Sequence, residues 1–191
     1  KNYSMTCDLS NEDARKDLLK QINASHKEIN GLVNNAAFTG DANLAGWVAP
    51  FEKQSLGTWR AAIEVNLTAT FHLSQGLSEL LKASRDGHIL NIGSIYGDLG
   101  PDMRLYENTS MGNPAAYAAS KGGLIQLTKW LATTMAPDVR VNCVSPGGVL
   151  RGQPDTFIKA YEARTPLGRM AKEEDIIAAM LFLTIGKSQY I

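Results

Sequence analysis

The chain has 191 residues, 44% hydrophobic and 20% charged, which suits one globular domain, residues 1–191, and excludes a disordered chain. Nineteen Lys and Arg balance nineteen Asp and Glu, so no basic surface calls for nucleic acid or an anionic membrane. No apolar run approaches the roughly 18–20 residues that span a bilayer, and the start, Lys1 to Asp8, has no signal-peptide pattern.

In chain order, Tyr3–Cys7 reads as a weak strand, and Ser10 with Asp13 resembles a capping box opening a helix to about Ala24. Gly31–Asn35 is a second strand. Ser55 is the candidate cap of one long helix to about Ala83, with Trp59, Ile63, Leu67, Phe71, Leu77 and Leu81 among its apolar positions. His88–Gly93 is a third strand. Ala115–Met135 is a helix with Leu124, Leu127, Trp130 and Leu131 on one stripe, and Val139–Val144 is a fourth strand. A last helix starts near Lys172, whose following acids suit a helix N-terminus, and runs to about Leu183. Apolar runs without alternation suit buried parallel strands, and their alternation with helices predicts an α/β domain with helices on both faces. Ligands of such sheets sit beyond the carboxyl ends of the strands.

Those ends carry the chemistry. Ser94 ends the third strand. Tyr117 and Lys121 are four apart and share a helix face. A tyrosine beside an ammonium has a lowered pKa and can exchange a proton with a substrate oxygen while a hydride moves at the attached carbon. Tyr-x-x-x-Lys alone arises by chance in many helices, and a Ser ending a strand is commonly a turn residue. Asn66 lies mid-helix, where Asn is a mediocre helix former. Asn34-Asn35-Ala36-Ala37 ends a strand with small residues that permit close approach of a ligand, and Pro146-Gly147-Gly148 ends the last one. Cys7 and Cys143 lie far apart with no C-x-x-C, which excludes a disulfide scaffold and fits a reducing cytoplasm. His26, His72 and His88 show no metal-ligand spacing, so no metal is expected.

Taken together, Cys7-Asp8-Leu9, Asn34-Asn35-Ala36-Ala37, Asn66, Asn91-Ile92-Gly93-Ser94, Tyr117-x-x-x-Lys121 and Ser145-Pro146-Gly147 resemble the short-chain dehydrogenase/reductase family over almost the whole chain. The resemblance implies a Rossmann-type doubly wound parallel sheet, NAD or NADP as cofactor, and an Asn66-Ser94-Tyr117-Lys121 catalytic set. In it Tyr117 is the acid/base, Ser94 orients the substrate oxygen, and Lys121 binds the nicotinamide ribose and lowers the Tyr117 pKa. Asn66 holds a water leading from Lys121 to solvent. Asp8 and Leu9 lie beside the adenine, Asn35 and Ala36 along the adenosine ribose, and Pro146, Gly147 and Val149 at the nicotinamide end, with Ala37 also among the cofactor-binding residues. Ala37 stands where the family motif usually has Gly.

Two features depart from the family. No G-x-x-x-G-x-G or G-x-G-x-x-G occurs, so the first β-α-β part that holds the pyrophosphate is missing, as is the last strand; the sequence is read as part of a longer chain. The stretch Asp98–Asn113 between Ser94 and Tyr117 is long for the family. Its Tyr-Glu-x-Thr-Ser-Met core is similar to reductases of surface-polysaccharide and flagellin-sugar pathways, including those near nonulosonic sugars. In that resemblance Arg104, Glu107, Asn108 and Thr109 suit a polyhydroxylated substrate. Residues 150–170 read as a substrate lid with Gly147, Gly148 and Gly152 as hinges.

The expected protein is a cytoplasmic NAD(P)-dependent oxidoreductase that interconverts a secondary alcohol and a ketone on a small molecule, as a homo-oligomer, tetramer or dimer. The alternatives are a non-catalytic dinucleotide-binding scaffold or regulator, and a sugar dehydratase or epimerase using bound NAD.

Overall fold

The computed structural model describes residues 3–40, 43–186 and 188–191; Lys1 and Asn2, at the head of the stretch read for a signal peptide, lie outside them. Three strands form one parallel sheet: β1 (Gly31–Asn34), β2 (Gly87–Ile92) and β3 (Val139–Val144), in the order β1-β2-β3. Register places Leu32, Ile89 and Val141 side by side. Together with Val139 they face Leu73, Leu77, Leu81, Leu131 and Met135, which form the main core. The strand pleat sends alternate residues to the other face. There Arg140 donates to the Leu183 carbonyl of α7 (Glu173–Thr184), so helices cover the sheet on both sides as the apolar strands predict.

The expected strand at Tyr3–Cys7 is not formed. That segment is extended but pairs with nothing among the described residues, and Tyr3 and Met5 are exposed. A strand exists only through its ladder partner, which a short apolar run cannot reveal.

Helix α1 (Glu12–Ser25) starts one residue later than expected. Asn11 caps it, accepting from the Asp13 and Ala14 amides at 2.9 and 3.1 Å, because Asp8 takes the Ser10 hydroxyl at 2.7 Å. Ser55 does cap α2 (Leu56–Ile63), accepting from the Thr58 amide at 3.0 Å. The single long helix expected from there is divided. A π turn over Glu64–Thr68 joins α2 to α3 (Ala69–Gly76), and Leu77 leaves helical geometry before the short α4 (Ser78–Lys82). The division follows from packing: Leu77 is buried in the core, and a Cβ on Gly76 would stand 2.6 Å from a Leu19 methyl of α1. Helix α5 (Ala115–Met135) and β3 have the bounds read from the sequence. Residues 150–170 contain a helix that the sequence reading missed, α6 (Asp155–Glu162).

Candidate active site

The site gathers where β2 and β3 end. The two strands stay joined beyond their last residues through Gly93 N–H to Val144 O at 2.8 Å and Ile95 N–H to Pro146 O at 3.1 Å. Ser94, extended and buried, begins a 3-10 turn and accepts from the Tyr96 amide at 3.2 Å. That turn rests directly on α5. A Cβ on Gly97 would stand 2.8 Å from the Lys121 backbone, so only glycine lets Ser94 come this close to the helix that carries Tyr117 and Lys121. Helical spacing then sets Tyr117 and Lys121 on the same face, with the Lys121 ammonium 5.8 Å from the centre of the Tyr117 ring.

Ser94, Tyr117 and Lys121 line one open cavity of about 450 Å³, together with Asn35, Ala37, Pro146, Gly147 and Val149. Asp8, Leu9 and Ala36 do not border it. Asn66 lies behind it. Its amide oxygen accepts from Phe38 N–H at 2.6 Å, and its nitrogen donates to Phe38 O at 3.2 Å and to Ser120 Oγ at 3.0 Å. Ser120 in turn donates to the Tyr117 carbonyl at 2.8 Å, so Asn66 reaches Tyr117 through its backbone. Ser120 was not singled out in the sequence, although it stands next to Lys121.

The electrostatics correct one expectation. The Tyr117 pKa is raised, not lowered, because burial of the phenol outweighs the hydrogen bond with Ser94. Burial also pulls the Lys121 ammonium down from its ordinary value. Lys121 is 3% exposed and donates to Ile92 O at 2.6 Å, its one hydrogen-bond partner among the described residues. An ammonium has three donors.

The long segment after Ser94 folds back on the expected lid. Leu105 packs with Phe157 and Met170, the Tyr106 and Phe157 rings are 5.5 Å apart, and Arg164 pairs with Asp102 at 3.1 Å. The polar residues expected to meet a substrate do not reach the cavity. Arg104 is turned onto Asp102 and largely exposed, and Thr109 donates to the Tyr106 carbonyl. Tyr106 instead donates to the Tyr96 hydroxyl at 2.8 Å. Gly147 and Gly148 serve close approach: a Cβ on Gly147 would stand 2.7 Å from the Tyr161 hydroxyl, which accepts from Gly148 N–H at 2.6 Å. The base of the segment is closed by Leu150 N–H to Ala171 O at 2.8 Å. Among the described residues no His, Cys, Asp and Glu cluster could hold a metal, and no helix is long and apolar enough to cross a membrane.

The residues present fit a nicotinamide dinucleotide at its nicotinamide-ribose end. The spare Lys121 N–H groups match ribose hydroxyls, and Ala37, Gly93, Pro146, Gly147 and Val149 line the same cavity.

A family model described as enoyl-(acyl carrier protein) reductase matches residues 1–191. The chain is 31% identical over 188 residues to the 3-oxoacyl-acyl-carrier-protein reductase FabG of Thermotoga maritima, covering 96% of this chain and 70% of that protein. A short-chain dehydrogenase from Leptospira borgpetersenii with bound NAD+ superposes with a TM-score of 0.85 at 36% identity, over 98% of this chain and 70% of that one. A protein named as an NAD(P) dependent gluconate 5-dehydrogenase, from Beutenbergia cavernae with bound NADP, superposes with a TM-score of 0.81 at 31% identity, over 97% and 70%. With its parallel Rossmann-like sheet and these relatives, the chain belongs to the short-chain dehydrogenase/reductase family of NAD(P)-dependent oxidoreductases.

Proposed function

We propose that this oxidoreductase interconverts a secondary alcohol and a ketone on a small polyhydroxylated, sugar-derived substrate, with Tyr117 moving the proton. The observation that carries the reading is the gathering of Ser94, Tyr117 and Lys121 around one cavity at the strand ends. The sugar-derived substrate rests on the likeness to a protein named as a gluconate dehydrogenase.

In reduction, the substrate oxygen lies between the Ser94 hydroxyl and the Tyr117 phenol. Ser94 orients that oxygen by a hydrogen bond, and Tyr117 gives it a proton. Burial keeps Tyr117 in the protonated form that this step needs. In oxidation the same groups act in reverse, and Tyr117 takes the proton. A bound nicotinamide supplies or accepts the hydride. Lys121 holds the adjoining ribose, and Pro146, Gly147 and Val149 wall the nicotinamide end. Asn35 and Ala36 follow the other ribose, Ala37 lines the cofactor cavity, and Asp8 and Leu9 follow the adenine edge. Asn66 acts as a positioning residue, through Ser120 and the Tyr117 backbone. Residues 150–170 serve as the lid, within one domain. The protein works in the cytoplasm as a homo-oligomer. Trp59, Phe71 and Trp130 leave apolar surface exposed on α2, α3 and α5 for a second copy of the chain.

The test is oxidation of reduced nicotinamide followed by absorbance, over a panel of keto-sugars and of acyl ketones. Tyr117→Phe is expected to lose roughly 10²–10⁴-fold in turnover with cofactor affinity nearly unchanged. A Phe variant that keeps most of the parental rate refutes the assignment. Binding without turnover in the parent favours the scaffold reading, and faster turnover of acyl ketones overturns the sugar-derived substrate.

A further inference from the structure

Arg15 is a charged residue placed inside the molecule, its side chain 2% exposed. Its Nε donates to His72 Nδ1 at 3.2 Å, one terminal nitrogen donates to the Leu9 carbonyl, and the other to Glu64 Oε1 at 2.6 Å. These acceptors belong to separate segments. Leu9 lies in the turn before α1, Glu64 is the first residue of the π turn, and His72 lies on α3 just beyond it. A guanidinium is a rigid planar fork able to hold all three at once, and a lysine ammonium is a single point. A π turn is rare and occurs mostly as a single-turn bulge inside an α-helix, frequently at a functional site. Asn66 sits inside this turn and sends its amide to Phe38 and Ser120.

We propose that Arg15 is a positioning residue that clamps the π turn from both sides, holding the Asn66 amide on Phe38 and Ser120 and docking the Leu9 turn at the adenine edge of the site. One side chain thereby joins the adenine side of the site to the α5 helix that carries Tyr117. The cofactor half of this inference rests on the proposed function; the clamp itself rests on the hydrogen bonds alone.

The experiment compares the parent chain with Arg15→Leu, Arg15→Lys and the milder Glu64→Gln. Hydrogen exchange is read at the Phe38 amide, which Asn66 holds, against amides of β2. Steady-state kinetics are run with NADH and with reduced nicotinamide mononucleotide, which lacks the adenosine half. In Arg15→Leu, Phe38 protection falls about tenfold while β2 protection is kept, as expected when hydrogen bonds to a charged group are lost. The KM for NADH rises about tenfold, the KM for the mononucleotide is unchanged, and kcat falls with both. Glu64→Gln gives a smaller change of the same pattern and keeps the test open should Arg15→Leu fail to fold. Arg15→Lys does not rescue, because one ammonium cannot span the three acceptors. The proposal is overturned if Phe38 and β2 lose protection together and both KM values stay at the parental level, the outcome for a merely structural ion pair. Full rescue by Lys also overturns it. A parent chain that turns over neither cofactor defeats the proposed function, and the exchange result still decides the clamp.

Discussion

Replacing Asn66 tests the link between the π turn and the helix carrying Tyr117. The residue is 2% exposed, and its side chain makes three hydrogen bonds, two to Phe38 and one to Ser120. A typical bond contributes a net ~1 kcal/mol, so Asn66→Ala removes about 3 kcal/mol of hydrogen bonding. Alanine is the better helix former and returns roughly 0.5 kcal/mol. The net loss of about 2.5 kcal/mol corresponds to a fall in melting temperature of roughly 5–10 °C for a chain of this size. Asn66→Asp keeps the shape and the bond from Phe38 N–H, but it turns a second acceptor toward the Phe38 carbonyl and buries a charge. Its melting temperature is therefore expected below that of the alanine variant. The assay is thermal unfolding at neutral pH of the parent and both variants, beside urea titration. An alanine variant within about 0.5 kcal/mol of the parent refutes the accounting, since that is the usual range for surface substitutions. An aspartate variant more stable than the alanine variant refutes the donor assignment of the amide nitrogen.

The remaining predictions concern pH and assembly. Because burial raises the Tyr117 pKa, the phenolate needed for alcohol oxidation is scarce at neutral pH and the phenol needed for ketone reduction is abundant. The rate of oxidation should climb about tenfold per unit through the alkaline range while reduction stays flat; a pH–rate profile with oxidation flat above neutrality contradicts this. The exposed Trp59, Phe71 and Trp130 predict a dimer or tetramer, and light scattering that finds a monomer at micromolar concentration removes that expectation.

The sequence by itself determined the features whose causes are local. The bounds of α5 and β3 and the Ser55 cap follow from periodicity, apolar runs and one side-chain hydrogen bond to a nearby amide. So does the common face of Tyr117 and Lys121, which spacing dictates once the helix forms. Tertiary structure decided whatever depends on a distant partner. Tyr3–Cys7 has strand-like residues but pairs with nothing among the described residues. The helix after Ser55 turns through a π turn because Asn66 meets Phe38 and Ser120, 28 and 54 residues away. Arg15 looks like an ordinary helix-surface charge until Glu64 and His72 close around it, 49 and 57 residues away. The Tyr117 pKa was misjudged for the same reason. The sequence shows Tyr117 and Lys121 one helical turn apart, but the burial that raises the Tyr117 pKa against the Ser94 hydrogen bond is created only when the chain packs, since desolvation is a property of the surroundings and not of the residue.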